Sequence, residues 1–94
     1  MFHMRREVEI LNELGLHARP AAEFVRAVHG FDCDVFILKG DATFSAGSIM
    51  EVLTANLDRG LRITLEATGP DAAKALDRLE ALLHEFKAQE EGAA

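Results

Sequence analysis

The sequence has no tryptophan and no tyrosine, and its six phenylalanines are scattered. An aromatic platform for stacking the bases of single-stranded nucleic acid is therefore not expected. Positive charge is short as well. Ten Lys and Arg against sixteen Asp and Glu leave a formal net charge of -6, the wrong sign for a general binder of phosphate backbone. No nucleic-acid partner is expected. The one cysteine, Cys33, has no second thiol with which to form an intramolecular disulfide or a multi-cysteine metal site, and a reducing cytoplasm suits it. No apolar run approaches the roughly 20 residues that cross a bilayer. The opening Met1-Phe2-His3-Met4-Arg5-Arg6 carries neither the apolar stretch nor the cleavage site of a secretory signal. A cytoplasmic protein without membrane insertion is the expectation.

What remains is a chain of 94 residues, 49% hydrophobic, which fits one ordered domain. A domain of this size buries a modest core and leaves no deep catalytic cavity. Residues 1–88 are expected to form that domain, with an acidic and then small-residue tail, 89–94, frayed. Glu7 to Asn12 alternates, with Val8 and Ile10 on one face, and reads as a half-buried strand broken at Gly15. A helix follows with Ala22, Val25 and Val28 as its apolar positions, ending at Gly30. Cys33 to Lys39 reads as a well-buried strand. Gly40-Asp41 is a two-residue hairpin signal, and Ala42 to Ala46 is the returning strand. Ser48 opens a short helix with Ile49, Val52, Leu53 and Leu57, closed by Gly60. Leu61 to Thr68 shows the clearest strand alternation. Gly69-Pro70-Asp71 opens a last helix whose stripe runs Ala72, Leu76, Leu79, Leu83, Phe86. The order β-α-β-β-α-β-α predicts an α+β fold, an open-faced β-sandwich. Its four-stranded, largely antiparallel sheet would carry three helices on one face.

Pro20 locates the start of the first helix, because proline is tolerated only in the first turn, where its missing N–H has no partner to lose. His17 then falls at or beside the N-cap, with Ala18 and Arg19 in the first turn. A helix N-terminus offers free amides and positive potential, which attract phosphate. The same potential favours the neutral, nucleophilic imidazole over imidazolium. Arg19 adds a permanent charge and a planar donor fork for phosphate oxygens. A nucleophile, an anion cradle at Ala18 and Arg19, and a cation thus fall within three residues. A lone histidine near a helix end is more often a solvated or capping residue, so this cluster alone is weak evidence.

The string Gly15-Leu16-His17-Ala18-Arg19-Pro20-Ala21-Ala22 resembles the active-site motif of the HPr family, the small carriers of the phosphoenolpyruvate-dependent phosphotransferase system. The likeness continues through Gly47-Ser48-Ile49-Met50, Asp58-Arg59-Gly60 and Ala67-Thr68-Gly69-Pro70-Asp71-Ala72, spanning about residues 6 to 86. The lead-in Asn12-Glu13-Leu14-Gly15 and the segment Glu66-Ala67-Thr68-Gly69-Pro70 also resemble the nitrogen-branch version, NPr. The resemblance implies a phosphocarrier that accepts a phosphoryl group on Nδ1 of His17 (a pros-phosphohistidine), assisted by Arg19. The donor would be phosphorylated enzyme I and the acceptor a IIA-type protein. It implies no metal, no cofactor, and a monomer that is not a free-standing catalyst. Whether a sugar or a nitrogen branch is served stays open, as does the identity of the acceptor.

Ser48 corresponds to the serine that HPr kinase, a dedicated ATP-dependent enzyme, phosphorylates in many relatives. Gly47 and Glu51 depart from the residues usual there and weaken that role. The plainer reading is a capping box, in which Ser48 and Glu51 satisfy each other's orphan amides. Four apolar residues in about one turn, Ile49, Met50, Val52 and Leu53, exceed what one face buries. In relatives the apolar residues after the serine dock onto partners. Ile49, Met50 and Leu53 are therefore candidate docking residues, with Val52 more suited to the core and Arg26 a possible contact to an acidic partner. His29 and His84 suit helix C-termini, and Cys33 behaves as a small buried hydrophobe. Two other classes compete. One is a regulatory protein that acts by docking alone, for which His17 and Arg19 would be superfluous. The other is a small-molecule sensor on a similar sandwich, for which no glycine-rich pocket loop is present. Only a carrier would gain acid-labile phosphate from phosphoenolpyruvate and enzyme I.

Overall fold

A computed structural model describes residues 2–13 and 15–92. The elements follow in the expected order: β1 (His3–Glu9), α1 (Ala18–His29), β2 (Asp34–Lys39), β3 (Ala42–Ser45), α2 (Ile49–Thr54), β4 (Arg62–Thr68) and α3 (Ala72–Gly92). The strands form one sheet in the order β1-β4-β2-β3, and all three pairings are antiparallel. The helices pack on one side, leaving the other side of the sheet open.

The alternation in β4 is realised as read. Ile63, Leu65 and Ala67 are buried, and Arg62, Thr64, Glu66 and Thr68 face the open side. β2 obeys the same rule. Val35 and Ile37 are buried while Phe36 is exposed, so β2 is buried on one face only, and not throughout as its run of apolar residues suggested. Between β2 and β3, Gly40 takes φ 57° in a two-residue turn that leaves Lys39 opposite Ala42, the left-handed geometry such hairpins require.

β1 begins four residues earlier than the hydrophobic pattern indicated and ends at Glu9. All seven of its residues pair with β4, from His3 opposite Thr68 to Glu9 opposite Arg62. Its early half is charged, and those charges are paired. Arg5 donates to Glu66 at 2.7 Å. Arg6 faces the helices and reaches past the core edge to Asp77 at 2.7 Å on α3, its stem covering apolar surface. Ile10, beyond the strand, remains fully buried.

α1 turns Ala21, Phe24 and Val28 into the core. That stripe is shifted from the one expected, because Ala22 is exposed and Val25 only half-buried. Phe24 has the larger apolar area, so its burial sets the rotation of the helix. α2 ends at Thr54, with Ala55 as its C-cap, and not near Gly60. Asn56 follows with φ 51°, a left-handed stop that asparagine tolerates better than most residues. α3 buries its expected stripe together with Ala75 and Leu82. It continues to Gly92, so residues 89–92 are helical where fraying was expected. The Glu13 amide donates to the Glu90 carboxylate at 2.6 Å, tying that last turn to the loop after β1.

Candidate functional site

His17 is the N-cap of α1, with extended backbone angles of φ -95° and ψ -164°. Its carbonyl accepts the first helical bond, from the Ala21 amide at 2.8 Å. Its side chain makes no capping bond, and the residue is exposed. The usual work of an N-cap side chain is left undone, so the ring is available for chemistry. Ala18 and Arg19, also exposed, supply the first two amides of the helix, which have no carbonyl a turn earlier to accept them. Pro20, the third helical residue, has no N–H to offer.

The loop before His17 is held from two sides. Gly15 adopts φ 67°, and a Cβ there would sit 2.3 Å from the Leu57 carbonyl oxygen. No other residue fits that approach. The neighbouring Leu16 amide donates to the same oxygen at 2.9 Å. Asn12 is buried at 1% exposure and donates from its side-chain amide to the Gly15 carbonyl. Leu14 lies outside the described residues. Thus the segment after α2 is the platform on which the histidine loop rests.

Around His17 the surface forms a shallow open depression lined by Leu16, Leu53, Asn56, Leu57 and Asp58. Leu53, a docking candidate, therefore shares a surface with the histidine. Met50 and Leu53 are exposed at 69% and 37%, while Ile49 is half-buried against the core and Val52 fully buried. Arg19 lies on the other flank. It borders a separate depression with Pro20, Glu23, Phe86 and Gln89, and no acidic side chain pairs with it among the described residues. Arg26 is exposed two turns further along the same side of α1.

Ser48 caps α2, its hydroxyl accepting from the Glu51 amide at 3.3 Å. The expected reciprocal bond is absent. Glu51 turns its carboxylate to the Ser45 amide at 3.0 Å, and the Ser48 amide bonds the Ser45 carbonyl at 3.3 Å. The tight turn between β3 and α2 brings Ser45 within reach, so the box is half formed. Cys33 is half-buried, not buried. Burial, then the neighbouring Asp71, Asp34 and Asp32, push its thiol pKa up, which leaves it a poor nucleophile.

Sequence reasoning missed three contributors. His29 was assigned only to a helix end, yet its Nε2 bonds the Gly47 carbonyl at 2.8 Å. Lys39 was passed over, yet its ammonium donates to the Ala55 carbonyl at 2.7 Å. Asn12 was read only as part of a motif. The bonds from His29 and Lys39 span elements 18 and 16 residues apart, where no local pattern signals them, whereas Asn12 bonds Gly15 only three positions on.

A family described as PTS HPr component, phosphorylation site, matches residues 4–85. The chain belongs to the HPr family. The phosphocarrier protein HPr of Vibrio cholerae is 39% identical over 81 residues, covering 86% of this chain and 95% of that protein. The phosphocarrier protein NPr of Escherichia coli is 37% identical over 82 residues, covering 86% and 91% respectively. Among solved structures, HPr from Bacillus anthracis superposes with a TM-score of 0.82 at 38% identity, covering 85% of this chain and 95% of its own. HPr-family membership makes this a phosphocarrier of the phosphotransferase system, and the open-faced sandwich is the architecture of its relatives. No helix among the described residues is long and apolar enough to cross a membrane.

Proposed function

We propose that the chain accepts a phosphoryl group on Nδ1 of His17 from phosphorylated enzyme I and passes it to a histidine of a IIA-type protein. The observation that carries this reading is the exposed His17 ring at an N-cap where it makes no capping bond. The Nδ1 lone pair attacks phosphorus, and a new N–P bond forms as the bond to the donor group breaks. The electron pair of the broken bond stays with the donor. The Ala18 and Arg19 amides and the Arg19 guanidinium receive the charge on the phosphoryl oxygens. In the onward step the roles reverse. A shallow, open site suits this exchange, since a carrier that enclosed phosphate could not present it to a second protein.

Leu53, which lines the depression at His17, and Met50, exposed on the same short helix, form the apolar part of the docking surface, with Ile49 at its edge and Arg26 at its basic margin. Ser48 serves as a helix cap. The carrier acts as a monomer without a cofactor.

Incubation with phosphoenolpyruvate and catalytic enzyme I should add one acid-labile phosphoryl group, seen by intact mass and mapped to His17. His17→Ala should remain folded and gain none. Normal phosphorylation of that variant would overturn the reading, and a wild-type chain that binds enzyme I without gaining phosphate would favour a docking-only regulator.

A further inference from the structure

α2 has six residues, and isolated helices shorter than about 12 residues are marginal in water. It nevertheless carries Met50 and Leu53 out from the surface. Two side chains from outside the helix hold its ends. At the entrance, His29 Nε2 lies 2.8 Å from the Gly47 carbonyl oxygen. A carbonyl only accepts, so this bond needs the proton on Nε2. A Cβ at Gly47 would stand 3.3 Å from the same nitrogen, so ring and backbone are in close contact. At the exit, the Lys39 ammonium donates to the Ala55 carbonyl at 2.7 Å and to the Asn56 carbonyl at 3.3 Å. Carbonyls at a helix end lack amide partners and carry the negative pole of the helix, so a cation there opposes fraying. One residue on, Leu57 accepts the Leu16 amide at 2.9 Å, next to His17.

We propose that His29 and Lys39 are positioning residues that hold α2 in the orientation presenting Met50 and Leu53 to the phosphoryl donor protein. This rests on the reading of α2 as a docking surface. Neither side chain lines the depression at His17, so neither is a catalytic residue. Loss of either bond leaves α2 displaced in a fraction of molecules, and apparent affinity falls with the fraction that is competent. The histidine loop keeps its own anchor, because Leu57 is 2% exposed and retains its bond to Leu16. The effect should therefore fall on KM and not on kcat.

The test is steady-state phosphorylation by phosphoenolpyruvate and catalytic enzyme I at varied carrier concentration. Lys39→Met and His29→Ala should each raise KM about three- to tenfold with kcat held within about twofold. Lys39→Arg and His29→Gln, which keep a donor, should bring KM back to within about twofold of wild type. Amide exchange in α2 should quicken while that in the sheet does not. A wild-type KM for both Lys39→Met and His29→Ala, or a lower kcat at unchanged KM, overturns the proposal. Met50→Ser and Leu53→Ser distinguish the two levels. If they raise KM while the other two do not, only the positioning role fails. If they too leave KM unchanged, α2 is not the docking surface and both ideas fall.

Discussion

At the scale of single residues, the site divides between groups that face the reaction and groups that hold the backbone. Arg19 belongs to the first kind: it is exposed and without an acidic partner among the described residues. Arg19→Ala should slow transfer on the order of tenfold or more, while its effect on stability should stay within about 0.5 kcal/mol. Transfer rates and thermal melts of the variant decide this, and a lowered melting temperature with unchanged transfer would make Arg19 structural. Ser48 belongs to the second kind. Ser48→Ala should cost about 1 kcal/mol by stranding the Glu51 amide and leave His17 phosphorylation nearly unaltered. Ser48→Asp keeps the cap, but sets a negative charge beside Met50. Transfer from an acidic donor surface should then slow through repulsion. A wild-type rate for that variant would move the docking surface away from this face.

At the scale of elements, β1 shows how a strand of low hydrophobicity is kept in a sheet. Glu66 on β4 accepts from Arg5 at 2.7 Å and lies 3.2 Å from His3, and Arg62 pairs with Glu7 at 2.6 Å. The hydrogen bond from Arg5, then that from His3, holds the Glu66 carboxyl below the usual carboxylate range. A carboxyl lowered by folding stabilises the fold above its unfolded pKa, and that contribution fades as pH falls through the lowered folded value. Glu66→Gln should therefore be less stable than wild type near pH 7, with a smaller gap at an acidic pH below the usual carboxylate range. Urea midpoints at the two pH values test this, and a gap of equal size at both would mean that packing, not charge, is what Glu66 contributes. The pairs are exposed and screened, so the effect should be small.

At the scale of the whole molecule, one core joins the sheet to all three helices. Phe24 of α1, Leu65 of β4, Val52 of α2 and Leu79 of α3 are each fully buried within it. Phe24→Ala should cost about 3–5 kcal/mol and shift the unfolding of sheet and helices together. Circular dichroism and phenylalanine-region absorbance should report one midpoint. Separate midpoints would mean that α1 unfolds independently of the sheet. The histidine loop would suffer too, because its platform at Leu57 belongs to the same core.

Local chemistry determined much of this protein directly. Pro20 located the helix start and thereby placed His17 at an N-cap. The alternation of Ile63, Leu65 and Ala67 named the buried face of β4, and Gly40-Asp41 marked the hairpin. These signals are local because capping, pleat and turn geometry involve residues within a few positions of one another. Tertiary structure alone decided the rest. The charged start of β1 has no hydrophobic period, and pairing with β4 made it a strand. Phe24 set the rotation of α1 by finding the core, and Asn56 ended α2 before Gly60 could. The bonds from His29 to Gly47 and from Lys39 to Ala55 join positions 18 and 16 residues apart. Such contacts exist only once the sheet has brought α1, β2 and α2 together, because their partners are backbone carbonyls, which every residue carries and no sequence pattern distinguishes.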